Sequence, residues 1–129
     1  MELVLVPTLT QEVPYAYAAV APGGTVYAAG ACPLDEAGDV VAPGDVATQA
    51  ERVMRNLEQA LHAAECGLVD VVKTTVYVAS SDRADLVAAW TVVRDAFGDH
   101  DPPSTLLGVA VLGYPDQLVE VEAVAVRPA

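Results

Sequence analysis

The chain has 129 residues, with six Lys or Arg against 18 Asp or Glu and a formal net charge of −12. That length suits one domain over residues 1–129 with volume for a real core, and 53% apolar against 19% charged residues excludes a disordered composition. The charge repels phosphate backbones, no apolar run approaches a membrane span, and Met1-Glu2-Leu3-Val4 lacks the basic start of a secretion signal, so a cytoplasmic protein without nucleic-acid or membrane partners is expected.

A first short strand is expected at Leu3–Val6. Ala16–Ala21 and Thr25–Ala29 read as the arms of a hairpin, because Pro22-Gly23-Gly24 between them supplies one fixed φ and two residues free to adopt φ > 0. Apolar residues then recur at Val46, Ala50, Val53, Met54, Leu57, Leu61 and Ala64, a three-and-four spacing that lines one helical face, with Asp45 as N-cap and Gly67 as the stop. Val71–Val78 is rich in β-branched residues and too short for a helix, so it predicts a central strand. Ser80-Ser81-Asp82 opens a second helix with Leu86, Trp90, Val93 and Phe97 on one stripe, ended by Gly98. Two last strands follow, Thr105–Leu112 and Gln117–Val126, joined by the turn residues Gly113-Tyr114-Pro115-Asp116. Two amphipathic helices need one sheet face to bury against, so the fold class is α+β, a two-layer sandwich of a mixed sheet and two helices. Apolar residues on both faces of Val71–Val78 suggest that further copies of the chain cover the other side.

Several stretches, in order and along nearly the whole chain, resemble the RidA (YjgF) family. They are Pro14-Tyr15, Gly30 with Pro33-Leu34-Asp35, the helix Gln49–Gly67 with Asn56-Leu57, Asp70–Val78, Phe97-Gly98, Pro102–Thr105 and Leu118–Ala125. The resemblance implies a homotrimer of chorismate-mutase-like fold with clefts between subunits. In the family those clefts are best known for hydrolysing reactive 2-imino or enamine acids to 2-keto acids and ammonia.

Carried over residue by residue, the resemblance makes Glu120 the carboxylate that positions water or acts as acid/base. It places Tyr15 on the cleft wall, and brings the backbone of Gly30, Ala31 and Cys32 close to a ligand. Strand alternation puts Glu120 and Glu122 on one side of their strand, and without the resemblance both read as solvated edge carboxylates. The chain also departs from the family. Pro103 stands where a carboxylate-binding arginine is usual, beside Ser104 and Thr105, and proline supplies neither cation nor N–H. Trp90 replaces an asparagine of the second helix, although its place on the apolar stripe reads first as core packing. Ala16 and Tyr17 replace the usual Ser-Gln.

These changes point to a cleft for a neutral or weakly polar small molecule. The alternatives are an imine deaminase whose cation comes from Arg94, Arg83 or Arg127 of a neighbour, and a ligand-binding trimer without catalysis. Cys32 and Cys66 are too few for a disulfide framework and read as buried inert thiols. His62 and His100 have no metal-ligand spacing, and no phosphate or dinucleotide loop occurs, so neither metal nor cofactor is expected.

Overall fold

The computed structural model describes all 129 residues. Asp45 caps helix α1 (Val46–Ala63) as the sequence predicts, its carboxylate accepting from the Thr48 N–H at 3.0 Å. The other end departs from expectation. Glu65, not Gly67, adopts the left-handed conformation (φ +64°), so that Glu65 N–H donates to His62 O and Cys66 N–H to Leu61 O. This paired ending closes the last carbonyls of the helix. Arg127 supports it, donating to Ala64 O at 2.8 Å and pairing with the Glu65 carboxylate at 2.9 Å. Gly67 instead starts a one-turn helix, Leu68–Asp70. Helix α2 (Arg83–Phe97) is capped by Asp82 and ended by Gly98, both as predicted.

The strands are β1 (Glu2–Val4), β2 (Ala18–Val20), β3 (Thr25–Ala28), β4 (Val71–Val78), β5 (Ser104–Gly108) and β6 (Val119–Val126), in the spatial order β1-β2-β3-β6-β4-β5. β1 begins earlier than expected, and β5 stops at Gly108, which leaves residues 109–118 as a loop. The last two strands are not neighbours: β4 lies between them, antiparallel to β6 and parallel to β5, so the sheet is mixed. β6 thereby becomes a central strand.

Its alternation organises the core. Val119, Val121, Ala123 and Ala125 are buried beneath Val53, Leu57 and Leu61 of α1 and Val93 and Phe97 of α2, while Glu120, Glu122, Val124 and Val126 face the opposite way. No helix covers that open face. Cross-strand registers give it three rows: Leu3–Ala19–Tyr27–Val124–Lys73, then Glu122–Thr75–Thr105, then Glu120–Tyr77–Leu107.

The expectation of an apolar strand on both sides needs correction here. The β4–β6 register slips between Val71 and Lys73, so Val71 turns into the core and Val72 outward, and the open side of β4 is Lys73, Thr75 and Tyr77. Val72 at the bulge is the one exposed aliphatic side chain of β4, and the other exposed apolar groups on that face are Leu3, Tyr27, Leu107 and Val126, spread over four other strands.

Candidate active-site cleft

Between β3 and β6 the chain adds one residue. Tyr27 pairs with Val124, yet Ala31, and not Gly30, pairs with Val121, with mutual hydrogen bonds of 2.7 and 3.2 Å. Ala29 has by then turned to Tyr17 O, so Ala29-Gly30 bulges from the sheet beside Glu120. Gly30 leaves the space that the Glu120 carboxylate occupies, and its role is one of space, not of φ. A Cβ built on it would overlap the Glu120 carboxylate, with the carboxyl carbon at only 2.6 Å.

The carboxylate is held at one oxygen. Oε1 accepts from Gln117 Nε2 at 3.1 Å and from the Cys32 thiol at 3.4 Å, while Oε2 lies over Gly30 and receives no hydrogen bond from the chain. Burial and the neighbouring Glu120 charge push the Cys32 thiol up to about 12, so it stays protonated and donates. That agrees with an inert thiol. Tyr15 reaches the same cleft, its hydroxyl 3.1 Å from that of Tyr114, and its ring packs edge-on against Tyr17 at 6.1 Å. Pro14, Tyr15, Gly30, Cys32, Tyr114 and Glu120 border an open cleft of about 560 Å³. No Lys or Arg lines it.

Helix α1 fixes the loops that carry these groups. Asn56 donates to Cys32 O and Leu34 O, both at 2.9 Å. Gln49, two turns earlier on the same buried face, donates to Asp116 O at 2.9 Å and accepts from Leu118 N–H at 2.8 Å. Gln117 itself is 3% exposed, and its Oε1 takes the Tyr114 N–H at 3.1 Å. Sequence reading passed over Gln49, Gln117 and Tyr114. A polar residue interrupting the apolar face of α1 was the available signal, whereas Gln117 sat in what read as a strand start.

The remaining candidates are elsewhere. Trp90 packs against the core and, with Arg94, Phe97, His100, Asp101, Pro102 and Ser104, lines a small depression where α2 meets the start of β5. Ser104 points to the helix side, its Oγ accepting from Thr74 Oγ1 at 2.6 Å, and Thr105 lies on the open face, where Lys73 Nζ approaches it at 3.4 Å. Pro103 precedes β5, two strands across from β6 and four residues before the Glu120–Tyr77–Leu107 row. With strands ~4.8 Å apart and residues rising ~3.3 Å, it lies roughly 16 Å from Glu120. One chain therefore brings together Tyr15, Gly30, Ala31, Cys32 and Glu120, and keeps Trp90, Pro103, Ser104 and Thr105 apart from them.

Fold and cleft define a class: small α+β proteins with helices on one sheet face and a carboxylate-bearing cleft at a bulge of the central strands. The family model described as Endoribonuclease L-PSP matches residues 8–127. A RutC family protein of Pyrococcus abyssi is 36% identical over 115 residues, covering 88% of this chain and 87% of that one. The 2-iminobutanoate/2-iminopropanoate deaminase of Rattus norvegicus is 33% identical over 103 residues, covering 80% and 73%. Among solved structures, RidA from a Psychrobacter species superposes with a TM-score of 0.85 at 26% identity over 98% of this chain and 99% of the other. E. coli TdcF with bound serine gives 0.85 at 27% over 99% and 100%. The chain belongs to the L-PSP family, the RidA (YjgF) family of the sequence resemblance.

Proposed function

We propose that this chain binds and processes a neutral or weakly polar small molecule in a cleft completed by a neighbouring subunit of a homotrimer, with Glu120 orienting water or serving as acid/base. The observation that carries this reading is the Glu120 carboxylate, anchored through Oε1 and free at Oε2, in a cleft whose own chain provides no cation. A carboxylate fixed on one oxygen keeps the other available for a water or a ligand proton, the geometry acid–base work needs. An anionic substrate entering beside it lacks the bidentate partner that stabilises such a group. The trimer is supported by the uncovered sheet face with its scattered apolar side chains and, where Pro103 and Glu120 serve one site as the family resemblance implies, by the roughly 16 Å between them within one chain. Free, buried Cys32 and Cys66 suit a reducing cytoplasm. The family's endoribonuclease description is not carried over, because a net charge of −12 opposes a phosphate backbone.

One observation favours the imine deaminase as second reading. Arg94 lies in the depression with Trp90 and Ser104, 64% exposed and paired with Asp101 only at 3.6 Å, so a neighbour is free to present it. The two readings part on 2-iminopropionate generated in the assay. Without the arginine at position 103, losing about 2 to 5 kcal/mol of anchoring lowers kcat/KM roughly 30- to several-thousand-fold relative to a deaminase that has it. Rates equal to such a deaminase, abolished by Arg94→Ala, overturn the first reading in favour of the second.

A further inference from the structure

Glu120 forms one wall of the cleft. The same cleft is bordered by Tyr15 from the segment before β2, close to the Cys32 thiol, and Tyr114 from the loop 109–118, with their hydroxyls 3.1 Å apart. A pair of phenols has two protons, and the hydrogen bond between them uses one. The second remains for another acceptor, the nearby Cys32 sulfur or a ligand, and accepting polarises that hydroxyl and strengthens its donation.

One buried side chain ties Glu120 to the backbone of Tyr114. Gln117 Nε2 holds Glu120 Oε1 at 3.1 Å, while Gln117 Oε1 holds the backbone N–H of Tyr114 at 3.1 Å. The free acceptor on Glu120 and the free donor of the tyrosine pair are thus positioned by the same amide.

Resting on the reading of this cleft as a small-molecule site, we infer that the Tyr15–Tyr114 pair is its ligand anchor in place of a cation, and that the ligand class is a neutral, planar carbonyl compound bearing an N–H, such as a primary carboxamide. Its carbonyl oxygen accepts from the phenol pair and its N–H donates to Glu120 Oε2. A carboxylate offers no donor to Glu120 and meets no guanidinium or ammonium in this chain's part of the cleft. A simple alcohol must make both contacts through one oxygen. Burial and the hydrogen bond to Tyr114 both push the Tyr15 phenol above its usual value, so it remains a donor at neutral pH. Tyr114 is then a specificity-determining residue contributed by the loop between β5 and β6.

The test uses two probes of equal size, propionamide and propionate, titrated into the isotopically labelled protein while the amide resonances of Gly30, Cys32 and Val121 are followed. Propionamide is expected to shift all three, and propionate at the same concentration to leave them unmoved. Tyr114→Phe and Tyr15→Phe should each weaken propionamide about five-fold, the loss expected for one neutral hydrogen bond, with melting temperatures close to the parent's. If both variants bind propionamide as the parent does, the phenol anchor is wrong and the small-molecule cleft stands. If propionate binds more tightly, the ligand class is wrong and an anionic substrate is indicated. If neither probe moves the cleft resonances, the small-molecule reading falls, and this inference with it.

Discussion

The Glu120 cleft and the depression beside Trp90 share one sheet, two strands apart, and are built in opposite ways. Around Glu120 each polar group is tied to another element: Asn56 and Gln49 reach from α1 to the loops at Cys32 and Gln117, and Gln117 reaches on to Glu120 and Tyr114. Beside Trp90 the charged pair Arg94–Asp101 is about two-thirds exposed on both sides, and Ser104 bonds within the sheet and to its own loop. The contrast teaches how differently one sheet can hold its polar groups. Those around Glu120 are preorganised by the fold, and those beside Trp90 are loosely held at the surface.

The sharpest way to break the contrast is Asn56→Ala. It removes the Asn56 donor from Cys32 O, which keeps only the Leu34 N–H at 2.8 Å, and from Leu34 O, which keeps only Arg52 Nε. A loss of about 2 to 3 kcal/mol is expected in urea unfolding, with the Cys32 and Glu120 resonances displaced in the folded protein. Gly30→Ala should cost less, about 1 to 2 kcal/mol, because the new Cβ meets the movable end of Glu120 and not backbone. Its larger effect is local: the carboxylate leaves Gln117 and Cys32, which a structure of the variant will reveal. An unmoved Glu120 would contradict the close approach described for Gly30. Arg94→Ala probes the loosely held groups and should change stability by no more than ~0.5 kcal/mol, as exposed pairs do. A thermal melt showing a cost comparable to Asn56→Ala would erase the distinction between the two regions.

Local signals were legible in the sequence. The caps Asp45, Asp82 and Gly98 and the limits of β4 follow from side-chain chemistry and periodicity confined to a few residues. What could not be read depended on partners distant in the chain. β5 runs beside β4 because residues 83–97 form a crossover helix between them, while the Gly113-Tyr114-Pro115-Asp116 turn suggested a hairpin with β6. The slip between Tyr27–Val124 and Ala31–Val121 leaves no mark in composition. Neither does the left-handed Glu65, whose conformation is accompanied by Arg127 more than 60 residues away. Glu120, Tyr15, Gly30 and Cys32 become candidates through the family resemblance. Gln117 and Gln49 do not, because their importance lies in which backbone groups they reach. Trp90 lies on the core stripe that periodicity assigned to it and also borders the second depression.

Lys73 is the only lysine in the chain, and it projects from the sheet face that no helix covers, at the β4 end of the row that starts at Leu3. Amine-directed chemistry on this protein therefore has just two addresses, the N-terminus and that face. Labelling of Lys73 reports occupancy of the sheet surface, so its extent, followed on dilution, tests whether copies of the chain assemble across that face without any engineered tag. The same scarcity means that lysine-to-lysine crosslinkers can join copies of this chain only across that face or through their ends.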